Sequence, residues 1–168
     1  MDEVWRRPAA APARPTKRPD VTAILPHLLL GEYLLSDEIS WLTATHSVTA
    51  IVNLQDSQDL QTLGLDVAAL RRHAAACGVA YHHLPVPDCS PDDLVSRLDR
   101  VLGTLTELDA AGHVIYVHCN AGLNRAPTVA IAYLRAHCGI SLAEACAWVK
   151  ARRACGPYMP ALERYFAR

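Results

Sequence analysis

The sequence predicts a single α/β domain, a sandwich in which helices flank a central, mostly parallel sheet. Short β-branched runs such as 48–54 and 114–117 alternate along the chain with segments that have a helical period. The helical segments also carry recognisable start and stop residues. A length of 168 residues, of which 51% are hydrophobic, suits one well-packed core.

Local signals place the individual elements. The predicted strands are the apolar stretch 24–30, which Pro26 divides in two, followed by 48–54, 79–84 and 114–117. The predicted helices are 36–43, 67–77, 91–111, 127–138, 142–151 and 157–167. The signals are the caps Ser36, Asp66 and Ser141 with Glu144, the first-turn prolines Pro91 and Pro127, and the stops Gly78 and Gly112.

Residues 1–20 differ in composition from the rest of the chain. Four prolines alternate with five Arg or Lys residues there, which favours a disordered basic arm ahead of a domain at 21–168. The formal net charge of the whole chain is -1, which does not favour nucleic acid as a partner. The sequence has neither a membrane-length apolar run nor the apolar region of a secretory signal, so we expect no membrane insertion and a cytoplasmic location.

The six cysteines have no zinc-binding spacing and no CxxC pair. A disulfide framework is not expected in a chain with this much apolar material. The pattern therefore predicts a reducing compartment, thiols that are mostly buried and inert, and neither a metal nor a cofactor. Cys119 is the predicted exception.

Cys119 opens a segment with a specific spacing, His118-Cys119-Asn120-Ala121-Gly122-Leu123-Asn124-Arg125, between a predicted strand and a predicted helix. A loop of this length can turn its backbone N–H groups inward around an anion, and the helix that follows adds the positive end of its dipole. This environment favours the thiolate of Cys119, the predicted nucleophile. Arg125 supplies a planar fork for two phosphate oxygens, while His118 supports the loop. The predicted phosphate-binding residues are Asn120, Ala121, Gly122, Leu123, Asn124 and Arg125.

A leaving group also needs an acid. Asp88 lies in a polar, proline-punctuated loop after a predicted strand, where it can reach over the site. Asp92 and Asp93 are alternatives that look like first-turn helix residues, and Asp56 and Asp59 are more distant candidates. Asp88 could also be an ordinary turn residue.

The loop resembles that of dual-specificity phosphatases, and with Ala126-Pro127 it is most similar to the starch-excess, laforin-like group of glucan phosphatases. The stretches 51–55, 64–66 and 152–157 resemble that group too. The resemblance implies hydrolysis of phosphate monoesters through a cysteinyl-phosphate, with Cys119 as nucleophile, Arg125 on the phosphate, Asp88 as acid, and no metal. It also implies phosphorylated α-glucan as the substrate.

Two departures leave the substrate open. The glucan phosphatases carry stacking aromatics where this chain has Leu63 and Cys89, which leaves Tyr33, Trp41, Tyr158 and Phe166 as candidate stackers, with Trp41 and Phe166 more typical of core positions. Phosphoproteins and phosphoinositides are alternative substrates. Ala126 replaces the Ser or Thr of many dual-specificity enzymes, so a slow pseudophosphatase that only holds phosphate is also an alternative. A sulfurtransferase is disfavoured, since its cysteine loop is usually one residue shorter.

Overall fold

The computed structural model describes residues 18–168, and within them a five-stranded sheet forms the centre of the fold. The strands are β1 (Val21–Leu25), β2 (Leu28–Gly31), β3 (Ala50–Asn53), β4 (Ala80–His83) and β5 (Ile115–His118). Their order is β1-β2-β5-β3-β4. Only β1 runs antiparallel to its neighbour, so the prediction of a mostly parallel sheet is confirmed.

Helices cover both faces of the sheet. They are α1 (Glu38–His46), α2 (Ser57–Leu63), α3 (Val67–Ala76), α4 (Pro91–Ala110), α5 (Arg125–His137), α6 (Leu142–Arg152) and α7 (Met159–Phe166). Residues of α4, α5, α6 and α7 form one hydrophobic cluster with the sheet, and residues of α1 and α3 form a second. The apolar stripe predicted on α4 is confirmed, since Leu94, Leu98, Val101, Leu102, Leu105 and Leu108 are all buried.

Most boundary signals act as predicted. The carboxylate of Asp66 accepts the N–H of Ala68 at 2.9 Å, and Ser141 and Glu144 cap α6 reciprocally. Pro91 is the first residue of α4. Gly78 and Gly112 follow the helices α3 and α4 with φ of 69° and 79°, angles that glycine adopts without strain.

Three helix predictions need correction. α1 begins at Glu38, and Ser36 does not cap it; instead Glu38 Oε2 accepts the N–H of Leu35 at 2.8 Å. α5 begins at Arg125, two residues before the predicted start at Pro127, because the carbonyl of Asn124 already accepts the N–H of Thr128. α7 begins at Met159, two residues after the predicted start at Pro157. In addition, the helix α2 was not predicted at all.

The expectation of mostly buried thiols is wrong. Only Cys119 is buried, whereas Cys89 and Cys138 are exposed and the other three cysteines are half-buried. All six are free thiols, in agreement with the absence of a disulfide framework.

The predicted basic arm lies outside the described residues up to position 17, and residues 18–20 contact the domain. The guanidinium of Arg18 stacks on the ring of Trp41, and the N–H of Asp20 donates to Glu32 at 2.7 Å. Between residues 18 and 168, none of the helices combines the length and the apolar character needed to cross a bilayer.

The carboxyl ends of four strands meet at one edge of the sheet. Gly31, Asn53 and His83, the last residues of β2, β3 and β4, align with His118 at the end of β5 in the parallel register. The chain passes from β5 directly into Cys119 at this edge, where parallel sheets commonly bind ligands.

Candidate active site

The segment from Cys119 to Arg125 is a tight loop between β5 and α5. Cys119 is 3% exposed, at the bottom of the turn, and Leu123 is exposed at its rim. Gly122 has φ of 66°. A Cβ atom at Gly122 would lie 2.6 Å from the carbonyl oxygen of Gly31, so glycine is needed both for the backbone angle and for the close packing on β2.

Every backbone carbonyl from Cys119 to Asn124 accepts a hydrogen bond from outside the loop. The pairs are Cys119 with His118 Nδ1 (3.0 Å), Asn120 with the N–H of Tyr33 (2.9 Å), Ala121 with Arg153 Nη2 (3.1 Å), Gly122 with Arg153 Nε (2.7 Å), Leu123 with the N–H of Gly156 (2.8 Å), and Asn124 with the hydroxyl and N–H of Thr128 (2.6 and 3.1 Å). Because a carbonyl can only accept, the first contact places a proton on Nδ1 of His118.

The amides of the same loop are arranged in the opposite sense. In a trans peptide the N–H points away from the carbonyl of the same unit, so carbonyls fixed outward turn the N–H groups inward. Among residues 18–168, no acceptor takes the N–H groups from Asn120 to Asn124. The loop is therefore a concave array of unpaired amide donors at a helix N-terminus, which is an anion-binding arrangement.

Arg125 is the first residue of α5 and is almost wholly buried. Its Nη1 atom donates to Asp59 Oδ2 at 2.6 Å and to the carbonyl of Val86 at 2.9 Å. Its Nε atom has no hydrogen-bond partner among the described residues and forms a looser ion pair with Asp88 Oδ1 at 3.5 Å. Although burial lowers the pKa of Arg125, the negative charges of Cys119, Asp59 and Asp88 raise it on balance, so the guanidinium stays charged.

Asp59 connects Arg125 to the loop. Its second oxygen accepts Asn120 Nδ2 at 2.7 Å, and the amide oxygen of Asn120 in turn accepts Gln55 Nε2 at 2.7 Å. A capping box formed by Asp56 and Asp59 begins α2, and this helix turn brings Asp59 under the loop. The sequence had suggested Asp59 only as a distant candidate for the acid, whereas the structure places it as a buried partner of Arg125.

Asp88 lies beside Arg125, and its side chain is 34% exposed. Its own N–H donates to Asp56 Oδ2 at 3.2 Å, and its Oδ1 atom accepts the N–H of Cys89 at 2.9 Å. Burial raises the pKa of Asp56, but hydrogen bonds from the N–H groups of Asp59 and Asp88, and the charge of Arg125, hold it below its ordinary value on balance. An ionised Asp56 therefore fastens the segment that carries Asp88.

The two rival acids lie in the first turn of α4, as predicted. Asp93 pairs with Ser90 and with Arg97, at 2.6 and 2.8 Å, and Asp92 pairs with Arg164 at 2.8 Å. Of these three carboxylates, Asp88 is the one that lies close to Arg125.

The aromatic candidates differ in their backbone contacts with the site. Trp41 packs against one hydrophobic cluster, and Phe166 and Tyr158 pack against the other. Tyr33 donates its N–H to the loop, and Tyr158 donates its N–H to Thr128 Oγ1 at 2.9 Å. Burial, followed by the charges of Asp88 and Cys89, raises the pKa of Tyr158, which indicates that its hydroxyl lies in the neighbourhood of the Asp88 segment. The two tyrosines are therefore the candidates nearest the site.

The sequence stretches that flank the loop in the family resemblance meet it in the structure. Gln55 contacts Asn120, and Arg153 contacts the carbonyls of Ala121 and Gly122. Gly156 donates to Leu123, and its carbonyl accepts Asn124 Nδ2 at 2.8 Å. Sequence reasoning assigned no role to these residues, but their place in the resemblance was the signal that they belong to the site.

Comparison with known proteins agrees with this geometry. Residues 32–162 match the family described as "Dual specificity phosphatase, catalytic domain". The amyloplastic phosphoglucan phosphatase DSP4 of Castanea sativa is 33% identical over 142 residues, covering 83% of this chain and 38% of that protein. The chloroplastic phosphoglucan phosphatase LSF1 of Arabidopsis thaliana is 27% identical, covering 83% and 24%. The chain thus spans less than two-fifths of the length of these two relatives.

Two further proteins match over most of their length. Human dual specificity phosphatase 28 is 31% identical over 151 residues, covering 90% of this chain and 76% of that protein, and the crystal structure of human DUSP28 superposes with a TM-score of 0.65, 27% identity and coverage of 86% and 91%. The crystal structure of Tk-PTP in the active form has a TM-score of 0.75 at 24% identity, covering 88% of this chain and 97% of that one, and supports the fold alone. The resemblance recognised in the sequence is confirmed: the chain belongs to the dual specificity phosphatase catalytic domain family.

Proposed function

We propose that this chain is a cysteine-dependent phosphatase that hydrolyses phosphate monoesters through a cysteinyl-phosphate intermediate. The observation that carries the proposal is the loop from Cys119 to Arg125, in which the six carbonyls from Cys119 to Asn124 are all bonded to groups outside the loop and the N–H groups from Asn120 to Asn124 remain unpaired among the described residues. Three equatorial phosphate oxygens match such an array of donors. Membership of the dual specificity phosphatase catalytic domain family supports the same reaction.

In the first step, the Cys119 thiolate attacks phosphorus, the S–P bond forms, and the bond from phosphorus to the leaving oxygen breaks. Nε of Arg125, which has no hydrogen-bond partner among the described residues, donates to the transferring group, while Asp59 holds Nη1 of the same guanidinium. Asp88, the proposed acid, gives its proton to the leaving oxygen.

In the second step, water attacks phosphorus and the S–P bond breaks, which restores the thiolate and releases phosphate. Asp88, now ionised, takes the proton from the water, since the group that acts as acid in one direction acts as base in the other. His118 holds the carbonyl of Cys119 and so supports the loop. The proposed reaction assigns no step to a metal.

The test of the reaction is hydrolysis of an aryl phosphate by Cys119→Ser. The serine hydroxyl is not ionised near neutral pH, so turnover should vanish while orthophosphate still binds. Cys138→Ser, an exposed cysteine at the end of α5, is the matched control and should retain full activity. Activity of Cys119→Ser near the wild-type rate would overturn the mechanism. Strong inhibition by EDTA that is reversed by added metal would point to a metal-dependent phosphatase instead.

For the substrate, we propose phosphorylated α-glucan. Support comes from the 33% identity to a phosphoglucan phosphatase and from the two tyrosines, Tyr33 and Tyr158, whose backbones are bonded to the loop and to α5 beside it.

Phosphoproteins are the second candidate, favoured by the 31% identity to human dual specificity phosphatase 28 over most of that protein. Phosphate release from phosphorylated amylopectin, a phosphopeptide and a phosphoinositide, measured side by side at equal phosphate concentration, separates the substrates. Preference for the phosphopeptide or the phosphoinositide over amylopectin would refute the glucan proposal and leave the reaction in place.

A cytoplasmic location is also a proposal. Six free thiols suit a reducing compartment, but the phosphoglucan phosphatases that resemble this chain carry amyloplastic and chloroplastic in their names. Fractionation of cells that express the tagged chain tests it, and recovery with an organelle would overturn it.

A further inference from the structure

Arg153 is a buried arginine directly behind the loop. It follows α6, and its N–H donates to the carbonyl of Val149 at 2.9 Å. Only 5% of the residue is exposed, although arginine is almost never buried unless it is paired. Its Nε atom donates to the carbonyl of Gly122 at 2.7 Å and its Nη2 atom to the carbonyl of Ala121 at 3.1 Å.

The third nitrogen of Arg153 is held from the other side. Nη1 donates to Thr22 Oγ1 at 3.0 Å and lies 3.3 Å from Asp20 Oδ2. All three guanidinium nitrogens are therefore bonded, and the plane of the group is fixed between the start of β1 and the loop.

These contacts determine where two amides of the loop point. The carbonyl of Ala121 shares a peptide plane with the N–H of Gly122, and the carbonyl of Gly122 shares one with the N–H of Leu123. A donor that holds both carbonyls outward holds both N–H groups inward. A single arginine thus fixes two adjacent members of the anion-binding array.

Packing at Gly122 supports the same relationship. A Cβ atom there would lie 2.7 Å from Arg153 Nη2, so the guanidinium lies directly against the loop backbone. Arg152, the neighbouring residue, is exposed and stacks instead on the ring of Trp148 at 3.5 Å.

We propose that Arg153 is a positioning residue of the phosphatase reaction, which orients the N–H groups of Gly122 and Leu123 toward the phosphate without touching it. The inference rests on the proposed function and concerns the same site. The planar fork of Arg153, rather than its charge, produces the effect, because only a fork can hold two neighbouring carbonyls while a third nitrogen is anchored on Thr22.

The test compares alkylation of Cys119 by iodoacetate, an anion, and by iodoacetamide, its neutral analogue, with each cysteine followed separately by peptide mass spectrometry. The ratio of the two rate constants at Cys119 reports attraction of an anion by the loop and does not require turnover. The ratio at the exposed Cys138, at the far end of α5, is the internal reference. Orthophosphate affinity, measured by calorimetry, is the second readout.

Arg153→Met should lower the ratio at Cys119 and the orthophosphate affinity by roughly tenfold to a hundredfold, the effect expected when reacting groups are displaced by about 1 Å. Arg153→Lys keeps the charge but loses the fork, and it should recover little of either quantity. Arg152→Met removes a cation one position away and should change neither. Full recovery by Arg153→Lys, or an equal loss in Arg152→Met, would overturn the proposal.

Other variants and the wild-type chain distinguish a failure of this inference from a failure of the proposed function. Should the Arg153 variants fail to fold, Thr22→Val combined with Asp20→Ala removes both partners of Nη1 and leaves the arginine in place. A folded double variant with unchanged ratio and affinity would overturn the inference. A wild-type chain that bound orthophosphate but hydrolysed no ester would refute the proposed function alone. An active wild type whose activity, ratio and affinity are all preserved in Arg153→Met would refute the inference alone.

Discussion

Arg125 and Asp59 form a buried ion pair, in which Nη1 donates to Oδ2 at 2.6 Å and the two side chains are 2% and 3% exposed. The pair joins the loop to α2, and the second oxygen of Asp59 holds Asn120 at the opposite end of the loop. A single carboxylate therefore contacts both ends of the predicted phosphate site, and Nε of Arg125 is left without a hydrogen-bond partner among residues 18–168.

Asp59→Asn tests what this pair contributes. The amide keeps the shape of the carboxylate but loses its charge, so Arg125 becomes a buried cation with a weaker partner, and the free energy of unfolding should fall by about 3–5 kcal/mol. Turnover should fall by roughly tenfold to a hundredfold for good and poor leaving groups alike, since a displaced Arg125 affects the transferring phosphate rather than the departing oxygen. Urea unfolding and steady-state kinetics measure the two effects.

Asp66→Asn is the matched control. Asp66 caps the next helix, α3, through Ala68, and asparagine is an equally good cap, so stability and turnover should both stay near the wild-type values. A loss in Asp59→Asn no larger than in this control would mean that the pair does not position Arg125.

The sequence was sufficient to predict the loop between β5 and α5, but not the distant residues that hold it in place. The order of residues from Cys119 to Arg125, between β5 and α5, follows from local chemistry that adjacent residues supply. Asp59 and Arg153 act on the loop across 66 and 31 positions of sequence, so no local pattern could assign their roles. Chain topology, which brings α2 and α6 to the carboxyl edge of the sheet, creates both contacts.

The composition of α2 explains why this helix was not predicted. Its seven residues are mostly polar, and its capping box uses aspartate at the third helical position, where glutamate or glutamine is usual. Buried Asp59 then has the sequence signature of a surface residue. The predicted burial of the cysteines was wrong for a related reason. Cysteine is usually buried, but its residue type alone does not show which cysteines lie in loops or at helix ends.

Asp88→Asn tests the proposed acid. The amide cannot donate a proton, so hydrolysis of alkyl or sugar phosphates should fall by about two to four orders of magnitude. Aryl phosphates with acidic phenols need little protonation and should be affected much less. The alkaline limb of the pH profile should also disappear, because it reports loss of the proton from the acid.

Asp92→Asn is the comparison for Asp88→Asn, since Asp92 lies in the same segment but pairs with Arg164. It should leave the dependence on the leaving group unchanged. If Asp92→Asn lowered the hydrolysis rate only for poor leaving groups and Asp88→Asn did not, Asp92 rather than Asp88 would be the acid.

Gly122→Ala should damage both the fold and the site. A φ of 66° costs a residue with a side chain about 1–3 kcal/mol, and the new Cβ would meet the carbonyl of Gly31 at 2.6 Å as well as Arg153. Gly78→Ala is the control, because its φ of 69° carries the same strain while nothing lies within 4 Å of the added Cβ. Thermal unfolding and orthophosphate binding should separate the two: both variants lose stability, but only Gly122→Ala loses affinity.

The pKa of Asp56 leads to a prediction about pH. Since the folded state lowers the pKa of this carboxyl, its contribution to stability is present above the unfolded value of about 3.9 and is lost as pH falls through the lower folded value. Asp56→Asn should therefore be less stable than wild type at neutral pH, and the difference should shrink below about pH 4. Urea midpoints at a series of pH values provide the measurement, and a difference that grows on acidification would contradict the assignment.

The proposed glucan affinity should depend on Leu63 and Cys89, the two positions at which the resemblance implies stacking aromatics. Leu63 ends α2 one helical turn beyond Asp59 and is half-buried, so Leu63→Trp can place a ring beside the site, and it should tighten glucan binding by about 1–3 kcal/mol if a ring contributes to a sugar what it does to a base. Cys89 has φ of 56°, which a bulky residue adopts only with strain, so Cys89→Phe should add less affinity and lower stability. Hydrolysis of an aryl phosphate should change little in either variant, since the phosphate cradle is untouched. Binding to amylopectin measured by co-sedimentation distinguishes the two, and equal gains would mean that the backbone at Cys89 rearranges to accept the ring.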